Sequence, residues 1–408
     1  MHLNFKVTEQ RQIHIKDYSY DLPEERIARY PLDERSNSKL LISEHGKNIN
    51  HIVFKDIDSS LPSGSHLIIN NTKVIFARLI FRKKTGSKIE IFCLHPLTPS
   101  DYESAFSVQN SCTWKCMVGN LKKWKEEILE LQVNNIHLYA EKITVNDKHV
   151  EVRFKWDEEN SFGEILNQAG VIPIPPYLNR NSEIIDKERY QTIYSQFKGS
   201  VAAPTAGLHF TEDVFQKLEK KNIFRLPLTL HIGAGTFQPV KSENAMEHTM
   251  HSEDIIITRE LIQKLLLNKT NISTGTTSTR TLESIYWLAH LIHDNKIITD
   301  IPQFVYRNLK GTFSRTGALQ VILDFMIRND LQEFSVPTQL MIIPGYKFMM
   351  TDILITNFHQ PGSTLLLLIA AFTGERWKEI YKYALENDFR FLSYGDSSLL
   401  YPSPSALL

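Results

Sequence analysis

Between Lys73 and Trp156 the chain changes texture, and that change constrains the fold more than any other feature of its 408 residues. Short β-rich runs follow one another there: VIFARLIF, KIEIFCL, WKCMV, EILELQV, HLYAEKITV and HVEVRF. Turn residues separate them, Thr85-Gly86-Ser87 and Asn146-Asp147 among them. Many short strands at regular spacing read as a small barrel. On either side, strands alternate with helices instead. One pattern enclosed by the other predicts an α/β domain with a mixed sheet, built from residues 1–72 and 157–408. A small β-barrel domain, 73–156, is inserted into it.

The α/β part is read from its punctuation. Pro23 with Glu24 and Glu25 starts a helix that Pro31 stops. His66 to Asn70 is a strand. Ser161 and Glu164 form a capping box for a helix that ends at Gly170. The three prolines of VIPIPPYLNR force an extended segment. Ile272 to Thr276 is a strand that passes through Thr277 and Ser278 into the helix TRTLESIYWLAHLIH. Ile353 to Asn357 repeats that layout, with FHQPG as the turn and Ser363 as N-cap of TLLLLIAAFTG. Phe389 to Leu400 is a last strand turning at Gly395-Asp396. In open α/β sheets, ligands sit at the carboxyl ends of the strands, and helix starts there favour anions.

Gly199 to Val240 supplies the chemistry for such a crevice. Gly199, Ser200, Ala202, Ala203, Ala206 and Gly207 let backbone approach a ligand closely. His209 stands in an otherwise apolar run. Thr211 caps a short helix, and Leu228 to Ile232 then alternates as a strand with Thr229 and His231 on one face. The Gly233-Ala234-Gly235 that follows is no dinucleotide loop, because Thr236-Phe237-Gln238-Pro239 cannot open a helix. Each histidine also has a plain reading as a hydrogen-bonded structural residue.

Composition narrows the class. The formal net charge of zero argues against a protein that coats nucleic acid non-specifically. Arg78, Arg82, Lys83, Lys84 and Lys88, then Lys122, Lys123, Trp124 and Lys125, make the barrel locally basic. That run is either an RNA-facing patch or a solvated face. Cys93, Cys112 and Cys116 are too few for a disulfide framework and point to a reducing compartment. With His95 they match no common zinc spacing and read as buried thiols. Met1 to Lys16 lacks an apolar core, and the run Leu365 to Phe372 is too short for a bilayer. A cytoplasmic protein, with no membrane contact, is expected.

From Tyr20 to Leu400 the chain resembles the S-adenosylmethionine:tRNA ribosyltransferase-isomerases of queuosine synthesis. The resemblance rests on YDLPEERIARYP, NTKVIFARL, IPIPPYLNR, ERYQTIYSQFKGSVAAPTAGLHFT, LTLHIGAGTFQPV, HTMHSE, GTTSTRTLES, PGYKF, ITNFHQPGSTLLLL and FRFLSYGD, in that order. It departs from the family at Asn71, Gln360, Gly362, Ser397 and Ser398, in its N-terminal extension, and in a longer segment over 294–339. The resemblance implies transfer and isomerisation of the ribosyl part of S-adenosylmethionine onto 7-aminomethyl-7-deazaguanine at a tRNA wobble position. Epoxyqueuosine-tRNA forms, and adenine and methionine leave. S-adenosylmethionine is then a co-substrate, with no cofactor and no metal, and the protein is expected to be a monomer. The chemistry needs a proton acceptor for the attacking amine and an acid for adenine. His209, His231, His251, Glu253 and His359 are the candidate catalytic residues. Thr205, Gly233, Gly235, Thr236, Thr276, Thr277, Arg280, Asn357, Ser363 and Asp396 are the candidate substrate-binding residues. Arg280 either grips an anion or pairs with Glu283 one turn on. An S-adenosylmethionine methyltransferase would need the glycine loop that HIGAGTFQP does not form. A non-catalytic RNA-binding module would leave the histidine-rich blocks unexplained.

Overall fold

The structure, a computed structural model, describes residues 12–146, 149–157, 159–233, 242–294, 299–309 and 313–407. In chain order the strands open with β1 (Lys39–Ser43), β2 (Asn50–Val53), β3 (His66–Asn70) and β4 (Thr72–Val74). Then come β5 (Arg78–Arg82), β6 (Lys88–Thr98), β7 (Ser111–Gly119), β8 (Leu129–Val133), β9 (Ile136–Val145) and β10 (Val150–Trp156). They continue with β11 (Phe197–Ser200), β12 (Phe224–His231), β13 (Glu253–Thr258) and β14 (Asn271–Thr274). The last are β15 (Glu333–Thr338), β16 (Ile353–Asn357) and β17 (Ser397–Leu400).

Among the described residues these strands form a nine-stranded mixed sheet in the order β15-β13-β12-β3-β14-β16-β17-β1-β2. Its centre, β12-β3-β14-β16, is parallel, and antiparallel pairs flank it on both sides. The centre strands bury both faces, as parallel strands under helices must. Ile68 and Leu354 point into one core, while Leu67, Ile69, Ile353 and Ile355 point into the other. The first core is covered by the helices Gly275–His293 and Thr364–Thr373, the second by the helix Glu212–Lys220 and the turn around Phe54. The run TLLLLIAAFT is thus the buried helix its sequence predicts.

A second, six-stranded antiparallel sheet runs β5-β6-β7-β10-β9-β8, and its outer strands β5 and β8 approach each other, so it is nearly closed. Alternate residues fill its interior: Cys112, Trp114 and Cys116 from β7, and Val150, Val152, Phe154 and Trp156 from β10. All three thiols are buried in strands or at their starts. The helix Phe162–Ala169, with its Ser161–Glu164 capping box, packs Phe162, Ile165 and Leu166 into the same core. A sequence boundary at residue 156 leaves this helix with the α/β domain, yet its apolar face belongs with the barrel strands.

Three local expectations are corrected. The helix from Pro23 is only a single 3-10 turn, Glu24–Arg26, because Ile27 is extended and bridges Phe391. The last strand is short, Ser397–Leu400: Phe391 is taken by that bridge, and Leu392 has φ 70°. Trp124 is buried rather than offered to RNA. Its indole N–H donates to the Glu127 carbonyl at 2.8 Å, and Lys142 lies over its ring. Three of the basic neighbours are spent locally, Lys83 on Glu127 and both Arg78 and Lys88 on Glu90.

Candidate active site

The cleft is built from the carboxyl ends of the parallel strands. Gly275 follows β14 directly, at φ +87°, where a side chain would be strained, and the chain enters the helix Gly275–His293 without a loop. The start of that helix, with Thr276, Thr277 and Arg280, forms one wall. The segment after β16 forms another: Asn357, His359, Gln360, Gly362 and Ser363. Ala202, Ala203, Thr205 and Ala206 make the floor that small residues allow. His251, Tyr177 and Tyr190 complete it.

The Arg280 guanidinium is the electrostatic centre. Its Nη1 donates to Glu253 Oε2 at 2.6 Å and its Nε to the Leu340 carbonyl at 3.0 Å. Its Nη2 is buried without a partner among the described residues. Glu253 is fully buried, and burial alone would raise its pKa. The Arg280 and His251 charges, with donors from His251 and the Gly233 amide, outweigh that and hold it at about 2. The Glu253 carboxylate is therefore ionised and can only accept, so His251 Nε2, 3.1 Å away, is the protonated nitrogen. Arg280 does not pair with Glu283. That carboxyl is buried and taken up by the segment Tyr346 to Thr351, where it accepts from the Tyr346 hydroxyl and the amides of Met349, Met350 and Thr351.

The remaining candidates divide by position. His359 lines the cleft, its Nε2 3.0 Å from Thr356 Oγ1, and burial presses it to about 3, so it is neutral near pH 7. Asn357 lines it too. Its Nδ2 reaches the Leu392 carbonyl at 3.1 Å and His209 Nε2 at 3.3 Å, while its Oδ1 has no partner among the described residues. Ser363 lines it as helix cap, its hydroxyl donating to the Gln360 carbonyl and accepting from the Leu366 amide. Glu253 sits behind the wall, with the Gly233 amide donating to its Oε1 at 3.3 Å.

His209, His231 and Asp396 are not in this cleft. His209 lies behind Asn357, its Nδ1 2.8 Å from Ser38 Oγ, held to about 3 by burial and then by the Arg390 and Arg35 charges. His231 stacks on Tyr102 of the short helix Tyr102–Ser107, which joins β6 to β7, with ring centroids 4.5 Å apart. Asp396 is buried and accepts from the amides of Lys39 and Arg390, clamping β17 to its neighbours. Gly235 and Thr236 lie outside the described residues.

Sequence reasoning missed Tyr177, Tyr190, His248 and Met250, all lining the cleft. The signal was present, since Tyr177, Tyr190 and His248 stand in the quoted blocks IPIPPYLNR, ERYQTIY and HTMHSE. It also missed the N-terminal strap. Tyr18 accepts from the Gly362 amide at 2.9 Å, and the Tyr20 hydroxyl donates to the His359 carbonyl at 2.5 Å.

Fold and site together define an α/β protein with a nearly closed antiparallel sheet beside it, and a small-molecule cleft at the carboxyl ends of its parallel strands. Residues 15–400 match the family described as "Queuosine biosynthesis protein", and the chain belongs to that family. A curated relative, the S-adenosylmethionine:tRNA ribosyltransferase-isomerase of Clostridioides difficile (strain 630), is 36% identical over 392 residues, 94% of this chain and 99% of that protein. A solved structure, S-adenosylmethionine tRNA ribosyltransferase from Thermotoga maritima, is 24% identical and covers 94% of this chain and 99% of its own, with a TM-score of 0.44. Among the described residues no helix is long and apolar enough to cross a membrane.

Proposed function

We propose that the protein transfers and isomerises the ribosyl moiety of S-adenosylmethionine onto 7-aminomethyl-7-deazaguanine at the wobble position of a tRNA. The products are epoxyqueuosine-tRNA, adenine and methionine. S-adenosylmethionine is a co-substrate in this reading, and no cofactor is called for. One juxtaposition carries it: a buried arginine with a donor unpartnered among the described residues, a carboxylate-bound histidine and two tyrosines line a single cleft.

Each group has a use. Arg280 Nη2 and the start of the helix Gly275–His293 suit the methionine carboxylate. The faces of Tyr177 and Tyr190 suit a sulfonium. Asn357 Oδ1, its amide nitrogen held by Leu392 and His209, accepts from a ribose hydroxyl. His251, whose Nε2 donates to Glu253, lines the cleft as the residue that takes the proton the attacking amine must lose. His359 acts as a neutral hydrogen-bonding group rather than as a cation. His209, His231 and Asp396 act by holding structure.

The test follows the atoms. The full chain is incubated with tRNA carrying the deazaguanine amine and with S-adenosylmethionine labelled in the ribose or, separately, in the methyl group. Ribose label is expected in the tRNA, and methyl label in free methionine. Methyl label on the RNA would overturn the reading in favour of methyl transfer.

A further inference from the structure

A second, smaller cleft opens behind the first. Arg35, Arg189 and Arg390 line it with Ser38, His209 and Ser393. The two clefts share a wall: Ser393 lines both, and His209 reaches from the smaller one to Asn357 in the larger. The three guanidiniums come from separate parts of the chain. Arg35 precedes β1, Arg189 ends the helix Ile184–Arg189, and Arg390 precedes β17.

Their partners are unusual. Arg35 Nη1 donates to the Gln191 carbonyl at 3.1 Å, and Arg189 Nη2 to the Leu32 carbonyl at 2.5 Å. Arg390 donates to the carbonyls of Tyr394 at 3.0 Å and Tyr30 at 3.4 Å. Main-chain carbonyls fix these side chains without neutralising them. Among the described residues, Arg35 and Arg189 have no carboxylate in ion-pair contact, and Arg390 has Asp396 at 3.9 Å. Glu188 is near Arg35 but makes no bond to it. The charge is felt nearby: burial and then Arg189 push Arg35 down, and Arg390 and Arg35 add to the depression of His209. By contrast, Arg78 finds a carboxylate in Glu90 and Arg315 in Asp352. Three fixed, under-compensated guanidiniums beside a reaction cleft make an anion site, and bidentate forks suit a phosphate.

We infer that the cleft of Arg35, Arg189 and Arg390 binds a backbone phosphate of the RNA substrate, next to the nucleotide that enters the neighbouring pocket. This rests on the tRNA reading above. Phosphate contacts position a nucleic acid without reading its sequence. Here they would set the depth at which the reacting base sits against Asn357 and His251. The basic run on the inserted sheet is the competing surface, but three of its cations, Arg78, Lys83 and Lys88, are paired and its Trp124 is buried.

The experiment measures binding of tRNA carrying the deazaguanine amine to the full chain across a salt series, for wild type, Arg35→Gln, Arg189→Gln and the double variant. Each single change is expected to weaken tRNA about tenfold and to flatten the dependence of log affinity on log salt by about 0.7 to 0.9. Binding of S-adenosylmethionine alone, by calorimetry, is expected to be unchanged. In parallel, tRNA is expected to shield Arg35, Arg189 and Arg390 of the wild type from phenylglyoxal, read by mass spectrometry, where S-adenosylmethionine does not. That arm decides the matter if the variants do not fold. Wild-type tRNA binding with an unchanged salt slope in the double variant, or equal labelling with and without tRNA, overturns the cleft but leaves the function standing. A loss confined to S-adenosylmethionine binding overturns it as well, and assigns the anion to the methionine carboxylate. No tRNA binding by wild type overturns the cleft and the function together.

Discussion

Glu253 shows how one residue ties stability to the site. Its pKa is about 2 in the folded chain against 4.5 for an ordinary glutamate, so its contribution is complete above pH 4.5 and lost as pH falls toward 2. The shift corresponds to about 3 kcal/mol at neutral pH. Glu253→Gln is therefore expected to lower unfolding free energy by about that much at pH 7, measured in urea, with the gap to wild type closing as pH falls through 4.5. A gap that stays constant with pH would mean the loss is packing rather than charge. The same substitution strands the Arg280 charge in a buried wall, so binding of S-adenosylmethionine should weaken as well. Residue types were legible in the sequence here, but partners were not. The helical spacing of Arg280 and Glu283 offers a pair one turn apart, whereas the structure gives Arg280 to Glu253 on β13 and Glu283 to the Tyr346–Thr351 loop.

At the scale of elements, two connections hold the site in shape. The strap before β1 ties down the loop after β16 through Tyr18 and Tyr20. Tyr20→Phe removes one hydroxyl from the His359 carbonyl. It is expected to raise the KM for S-adenosylmethionine about three- to tenfold with little loss of stability, since one hydrogen bond is worth about 1 kcal/mol. Steady-state kinetics and a thermal melt separate the two effects. The other connection is the end of the helix Phe162–Ala169. Gly170 lies against Phe76, and a Cβ there would sit 2.0 Å from the Phe76 carbonyl oxygen and 2.4 Å from that of Leu166. Both are backbone and cannot give way cheaply. Gly170→Ala is expected to cost about 3 kcal/mol or more in urea unfolding, well above the average for a point change. The sequence marked Gly170 as a helix stop. Its second role, close approach to another chain segment, has no local signature.

For the whole molecule, buried histidines set the acid limit, His209, His231 and His359 above all. His209 and His359 are held near about 3 and His231 near about 4, in each case chiefly by burial. Each is neutral when folded and takes a proton on unfolding, so stability is complete above pH 6.5 and falls as pH drops toward those values. Near pH 5 these three histidines by themselves take up three protons on unfolding, a slope of about 4 kcal/mol per pH unit. A pH series of urea midpoints is expected to fall from about pH 6.5, well before the carboxylates titrate. His231→Asn should reduce the slope by about one proton. A flat profile between pH 6.5 and 5 would contradict the burial of these rings. The sequence by itself determined the broad plan: short alternating runs can only pack as a small antiparallel sheet, and doubly apolar strands such as HLIIN and ILITN require helices on both faces. Caps and stops at Ser161, Gly170, Thr211 and Ser363 were also legible, because they act within one turn of chain. The tertiary structure alone decided which histidine faces the cleft. In β12 alternation puts His231 beside Thr229, but it takes the distant helix Tyr102–Ser107 to make its ring a stacking partner of Tyr102 rather than a wall of the cleft. It also decided that Arg35, Arg189 and Arg390, scattered over the sequence, share one opening. Charge and hydrogen-bonding partners act over a few ångströms of space, and sequence distance does not record that.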